Sequence, residues 1–265
     1  MTQQLVDIGA NLTHESFEHD LEEVLARAEQ AGVARILLTG TDSDSTQAAL
    51  ALSTSRPELF RCTAGIHPHL ASTWGATEAA LIASLARRDE VVAVGECGLD
   101  FNRDFSPRDA QCAVFEAHLE IASEVGKPVF LHQRDAHTTF LPILRDHVGS
   151  LRGGVVHCFT DSRQALEDYL DLGMYIGITG WVCDERRGLE LQELVKSIPL
   201  DRLLVETDAP YLLPRTLRPR PKSRRNEPCD LPEVVTTLAR CMDRSEEEIA
   251  AHSTANAERL FELRR

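Results

Sequence analysis

Five polar residues able to bind a cation or move a proton occupy equivalent points in the chain. His67 follows CTAGI, Glu96 closes VVAVGE, His132 closes PVFLH, His157 closes GVVH, and Asp208 comes just after LLVET. Each run before them is apolar and rich in β-prone residues, so each polar residue sits where a buried strand ends. Taken singly, a histidine in that position is more often a hydrogen-bonded structural residue than a ligand. Taken together, Glu96, His132, His157 and Asp208 offer imidazoles and carboxylates, a nitrogen and oxygen set suited to Zn, Mn or Mg. Soft donors are too few for a thiolate site. Cys97 and Cys158 each follow a candidate ligand by one residue, and the period of a strand is expected to turn them to the opposite side. A cation held by this set activates water and polarises an oxygen, which is the chemistry of hydrolysis.

These residues are spread from position 67 to position 208, so only a fold that gathers strand ends can assemble them. Eight apolar runs are candidate strands: Leu5–Ile8, Arg35–Thr39, Arg61–Ile66, Val91–Glu96, Pro128–His132, Gly154–His157, Tyr175–Thr179 and Leu203–Glu206. They recur about every 28 residues, room for a strand, a helix and two short loops. The segments between them carry helical stripes, as in Phe17, Leu21, Val24, Leu25 and Ala28 before Gly32. Ser106, Pro107 and Asp109 open another, with the stripe Cys112, Phe115, Leu119 and Ala122 ending before Gly126. Eight such units without a linker predict a closed (β/α)8 barrel, the TIM-barrel architecture, as one domain over residues 1–265. An open doubly wound sheet would normally carry fewer strands in this length. In such a barrel the C-terminal strand ends share one mouth. The irregular stretch Pro210–Asp230 follows the last strand, and Ser245 with Glu248 offers a capping box for one of two terminal helices.

With 43% hydrophobic and 26% charged residues and no low-complexity tract, the chain can bury a full core. A formal charge of -14 argues by itself against a polyanionic partner. The distribution reverses that argument, because Arg215, Arg218, Arg220, Lys222, Arg224 and Arg225 stand in one run without an acid among them. A charge run is usually a solvated loop, yet this one follows strand eight, where barrels often bind phosphate. The start MTQQLVDIGANLT has neither a basic nor an apolar leader segment, and no apolar run is long enough to span a membrane. A cytoplasmic protein without a membrane partner is expected, acting as a monomer. Seven cysteines, odd in number and with no C-x-x-C pair, read as reduced packing residues.

The runs GIHPH (65–69), GECGLDF (95–101), FLHQRDA (130–136), HCFT (157–160), YIGITG (175–180), ETDAPYLLP (206–214) and SRRNEP (223–228) resemble those of the TatD family of metal-dependent deoxyribonucleases. They occur in the family's order across essentially the whole chain, and GWVCDERRGLEL (180–191) narrows the match within it. The resemblance implies an amidohydrolase-like barrel that hydrolyses phosphodiester bonds, acting 3′→5′ on single-stranded DNA, with RNA as a further substrate. It also implies Glu96, His132 and His157 as divalent-metal ligands. Asp208 then serves as ligand, as base for the attacking water, or as both, and His67 is placed to touch the substrate phosphate. Many relatives begin D-x-H-x-H. Here Gly9 and Asn11 replace the two histidines after Asp7, so the site leans towards hard, oxygen-rich coordination and Mg, with Mn and Zn as alternatives. Asn11, His67, Arg134, Arg224 and Arg225 are the expected substrate contacts, the cationic ones stabilising phosphate charge.

Two other readings stay open on the residues alone. The same barrel and strand-end ligands would serve a hydrolase of a small cyclic amide or lactone, because fold does not fix function. Loss of the strand-one histidines also suits a non-catalytic barrel that binds nucleic acid.

Overall fold

The computed structural model describes residues 4–263, so residues 1–3 and 264–265 of the expected domain lie outside it. All eight expected strands form: β1 (Leu5–Ala10), β2 (Val33–Leu38), β3 (Phe60–Ala64), β4 (Val91–Asp100), β5 (Val129–Arg134), β6 (Gly154–Val156), β7 (Tyr175–Ile178) and β8 (Leu203–Val205). They belong to one sheet in the order β1 to β8, and a parallel bridge from Ala10 to Ala209 makes the first and last strands neighbours. Helices fall between them: α1 (Leu21–Gln30), α2 (Ser43–Ser55), α3 (Ala76–Leu85), α4 (Arg108–Val125), α5 (His137–His147), α6 (Arg163–Asp171) and α7 (Leu189–Leu194). Two more, α8 (Leu231–Met242) and α9 (Glu246–Leu260), close the chain. The fold is the (β/α)8 barrel that the spacing predicts.

The chain packs as two compact units. One comprises Thr39–His157 and Asp161–Tyr175, the other Met1–Leu38, Cys158–Thr160 and Ile176–Arg265. In the first, β4 is the axis, ten residues long and buried throughout. It runs four residues past Glu96, further than the apolar run suggests, because its last turn is fixed from the side: Gln111 of α4 accepts from the Asp100 amide at 2.8 Å. Between β4 and β5 the register slips, Val94 facing Val129 while Cys97 faces Leu131, so β4 carries one extra residue in that interval. A bulge of this kind re-aims side chains, and Gly95 and Glu96 lie in the interval. Gly95 and Gly98 make the approach possible. Both have positive φ, and a Cβ on them would lie 2.1 Å from the Phe130 carbonyl oxygen and 2.0 Å from that of His132. Only glycine tolerates that backbone and that contact. Outside the strands, Phe115 of α4 stacks on Phe140 of α5 at 4.6 Å, both fully buried.

In the second unit, β1 is buried along its whole length, as a strand covered on both faces must be. Helix α9 is tied to β8 by polar bonds as well as packing. Ser253 Oγ accepts from the Val205 amide at 3.0 Å, and the Asn256 amide donates to the carbonyls of Leu200 and Leu203 at 2.7 and 2.8 Å. Ser245 caps α9 by accepting from Glu248 N at 3.1 Å. The first helix departs from its stripe. Phe17 is buried in a separate 3-10 turn, Glu15–Phe17, and α1 starts only at Leu21. Asp20, at its N-cap, gives the helix no side-chain bond because both its oxygens receive Arg225, at 2.8 and 2.6 Å. Cys158 also departs from expectation. Strand β6 ends at Val156, so strand alternation does not orient Cys158; its φ is 46° and its amide donates to Glu206 Oε1 at 2.6 Å.

Candidate metal centre

Within the first unit the C-terminal ends of β3, β4, β5 and β6 deliver four side chains to one point. Glu96 Oε1 lies 2.8 Å from His157 Nε2, 2.9 Å from His132 Nδ1 and 3.2 Å from His67 Nε2. A carboxylate oxygen offers two lone pairs, so three imidazole nitrogens crowd a single acceptor. Ligand atoms of His67, Glu96 and His132 all fall within 4.8 Å of one another, the separation that donors to a shared cation need. His132 adds a second sign. Its Nε2 is buried without a hydrogen-bond partner, with Asp100 Oδ2 3.4 Å away. An unsatisfied buried donor or acceptor costs about 1–3 kcal/mol, which binding of a cation would offset. Imidazoles and a carboxylate fit a divalent transition ion or Mg.

The electrostatics act differently on each member of this set. Burial alone would raise the Glu96 carboxyl, but the charges of His157 and His67 and the bonds from His132 and His157 hold it well below the usual carboxylate range. Glu96 is therefore an anion. Burial lowers His67, outweighing the pull of Glu96. For His132 burial also acts downward, yet the Asp100 and Glu96 carboxylates win and raise it.

Three residues absent from the sequence-based set complete this unit. Asp100 lies four residues along β4 from Glu96, and its Oδ2 meets His69 Nε2 at 2.7 Å. Burial opposes its ionisation, but the neighbouring His132 and His69 imidazoles depress its carboxyl far below the usual range. Its other oxygen accepts from the amides of Asn102 and Arg103, at 3.0 and 2.8 Å. The spacing Glu96–Asp100 on one strand was the available signal, since residues four apart share a face. His118 on α4 is buried and accepts at Nε2 from the Ile66 amide, 3.0 Å, while Nδ1 donates to the Val114 carbonyl at 2.7 Å. Burial pushes its pKa down to about 4, despite that carbonyl, so a neutral imidazole of fixed tautomer holds the backbone that presents His67.

In the second unit Asp208 follows β8 with a φ of 56°. Its amide donates to the Gly9 carbonyl at 2.8 Å, and its Oδ1 accepts from Asn11 Nδ2 at 3.2 Å. The strand-one departure thus leaves an amide bonded to the candidate base. Asp7 accepts from the amides of Thr207 and Gly9, at 2.9 and 3.3 Å, and joins the same strand ends.

The expected cationic contacts divide sharply. Arg134 ends β5 and is exposed, and Arg224 is exposed with no ion pair among the described residues. Arg225 is committed internally. It holds Asp20 through two bonds, Glu227 at 2.8 Å and the Ser16 carbonyl, and its guanidinium lies 4.9 Å from the centre of the Phe17 ring. Arg215 lies 3.7 Å from Asp184. Counting charges along the run does not distinguish a cation with partners from one without.

A (β/α)8 chain whose strand ends crowd imidazoles around a buried glutamate is a barrel of the metal-binding hydrolase class. It belongs to the TatD family: the profile of the TatD-related DNases matches residues 6–262. The chain is 53% identical to the 3′-5′ ssDNA/RNA exonuclease TatD of Erwinia billingiae, over 98% of this chain and 99% of that protein. Among solved structures, a TatD homologue from Escherichia coli K12 superposes with a TM-score of 0.89 at 30% identity, covering 99% of both chains. A TatD-family hydrolase from Entamoeba histolytica gives the same TM-score at 26% identity, over 98% of this chain and 99% of that one. No helix among the described residues is long and apolar enough to cross a membrane.

Proposed function

We propose that this protein is a divalent-metal-dependent exonuclease that removes nucleotides from the 3′ ends of single-stranded DNA and RNA. The observation that carries the reading is the convergence of three imidazole nitrogens on one oxygen of an ionised, buried glutamate. Names of whole-length relatives support the substrate class. Glu96, His132 and His157 would hold the cation, with His67 either joining them or receiving a substrate phosphate oxygen. When bound, the cation supplies polarisation of a phosphoryl oxygen and a lowered pKa for water.

The remaining work falls to side chains. Asp208 accepts the proton of the attacking water, as its match to the family's last-strand aspartate implies, and Asn11 orients that carboxylate through its 3.2 Å bond. Asp100 and His69 form a fixed pair whose negative end lies beside His132 and keeps that ring in place. Arg134 and Arg224 receive the phosphate backbone. Mg is the ion proposed for turnover, because strand one contributes no imidazole. Zn and Mn would bind the nitrogen-rich cluster more tightly and compete with it.

Digestion of 5′-labelled and 3′-labelled oligonucleotides, single- and double-stranded, with EDTA, Mg, Mn or Zn tests the reading. Metal-dependent loss of the 3′ label from single strands is expected. Turnover of a lactone panel without hydrolysis of oligonucleotides or bis(p-nitrophenyl) phosphate would reject it.

A further inference from the structure

Beside the candidate centre a large apolar side chain is held out in solvent. Phe105 is 67% exposed, more than the other large hydrophobic residues of the described chain. A single exposed phenylalanine is unremarkable on most surfaces. This one differs in how its backbone is fixed and in what its ring touches.

The loop after β4 is pinned on both sides of Phe105. Before it, the Phe101 amide donates to the Arg134 carbonyl at 2.9 Å, Asp100 accepts from Asn102 and Arg103, and Asn102 Nδ2 donates to Asp135 at 2.6 Å. Arg108 clamps Asp104 through two bonds and lies 4.3 Å over the Phe101 ring. After it, Ser106 is buried. Its hydroxyl donates to the His69 carbonyl at 2.9 Å and accepts from the Ser72 amide at 3.0 Å. The backbone is over-determined while the side chain is left in water.

The Phe105 ring meets His69 edge-to-face at 4.8 Å between centroids. His69 in turn lies 4.2 Å from His67 and 6.3 Å from His132. A short chain of rings therefore leads from the exposed phenyl to the imidazoles around Glu96, a reach on the scale of one nucleotide. An edge-to-face neighbour covers one side of the assembly at most and leaves ring surface available for a planar partner.

We propose that Phe105 is a stacking platform for the unpaired nucleobase adjoining the scissile phosphate, and that it helps the enzyme choose single-stranded ends. The inference rests on the exonuclease reading and adds the residue that recognises the base. A ring face accepts any base in the absence of hydrogen-bond readout, so the contact selects for an unpaired base and not for sequence. Bases inside a duplex are covered on both faces and present only their edges to protein, whereas an unpaired base next to the scissile phosphate is free to swing its face onto the ring.

The test is a cycle between the residue and the base. Single-stranded oligonucleotides with an intact or an abasic terminal nucleotide are digested by the wild type and by Phe105→Ala, Phe105→Leu and Phe105→Trp. For the wild type, removing the base should raise KM by roughly ten- to a hundred-fold, the scale of one base–aromatic stack. In Phe105→Ala and Phe105→Leu the same removal should change KM by less than about two-fold, while Phe105→Trp keeps the wild-type ratio. The leucine variant retains apolar bulk, so a merely structural side chain would leave its ratio intact. Wild-type cleavage with equal discrimination in Phe105→Ala would overturn the platform and leave the exonuclease reading standing. Failure of the wild type to cleave any oligonucleotide with any of the metals would overturn both.

Discussion

Arg224 and Arg225 are neighbours in one basic run, and their environments predict opposite phenotypes. Arg225 has two bonds to Asp20, at 2.8 and 2.6 Å, one to Glu227 at 2.8 Å, and a ring contact with Phe17 at 4.9 Å. Its side chain is 21% exposed, so these pairs are partly shielded. A partly exposed ion pair contributes about 0.2–1 kcal/mol and a cation–π contact about 0.5–1 kcal/mol. Together they place the cost of Arg225→Ala at about 2 kcal/mol, with Glu227 still held by Arg27. In a protein of this size that lowers Tm by roughly 4–8 °C. Arg224→Ala should leave stability within about 0.5 kcal/mol. Its effect belongs to binding, where losing one phosphate contact on a single strand reduces the slope of log K against log salt by about 0.7. Urea titrations and fluorescence-anisotropy titrations of a labelled oligonucleotide across a salt series read both quantities. Arg225→Lys should recover little, because the bidentate geometry is lost. If Arg225→Ala keeps wild-type stability and flattens the salt slope as Arg224→Ala does, the clamp is not what anchors this residue.

Glu96→Ala, His132→Ala, His157→Ala and Asp208→Asn should each abolish nearly all nuclease activity with unchanged circular dichroism; wild-type turnover in all four would remove the proposed centre. Gly9→His combined with Asn11→His should retain more zinc after dialysis, read by elemental analysis, because two neutral imidazoles complete a borderline-soft site. A folded double variant with no added zinc would show that strand one does not serve the metal. For Asp184, burial acts to raise the carboxyl, but bonds from Arg187 and Arg186 hold it at about 2 against an ordinary 3.8. Its depressed value means that its stabilisation is present above about pH 4 and is lost as the pH falls through about 2. Asp184→Asn should therefore flatten the acid limb of a stability–pH curve, and an unchanged limb would assign acid unfolding to other groups.

The apolar runs announce all eight strands because most of their residues are buried, which leaves little room for polar residues until the strand ends. Glu96, His132 and His157 are legible for the same reason, as polar residues that break such runs. His69, Asp100 and His118 are harder to read. Asp100 stands beyond the apolar stretch, and what draws it into β4 is Gln111, a helix residue with no pattern of its own. His118 looks like one more position on a helix stripe until Ile66 supplies its partner. Phe17 fits the stripe of α1 yet precedes the helix, in a 3-10 turn whose Ser16 carbonyl accepts from Arg225. Long-range partners decide these cases, and composition does not encode them.

The seam between β1 and β8 sets a timetable for synthesis. Asp7 accepts from Thr207, 200 residues downstream, and Thr254 of α9 donates to the Gln4 carbonyl at 2.9 Å. A ribosome adding about 5–20 residues per second needs roughly 10–40 s to deliver that partner after β1 has emerged. Over this interval β1, whose six residues are all buried in the finished protein, can pair with β2 but has an open second edge. Unpaired apolar edges invite association with other chains. Loss of α9 by premature termination should therefore show first as insoluble nascent protein at high expression, before any defect in the chemistry of the mouth could be measured.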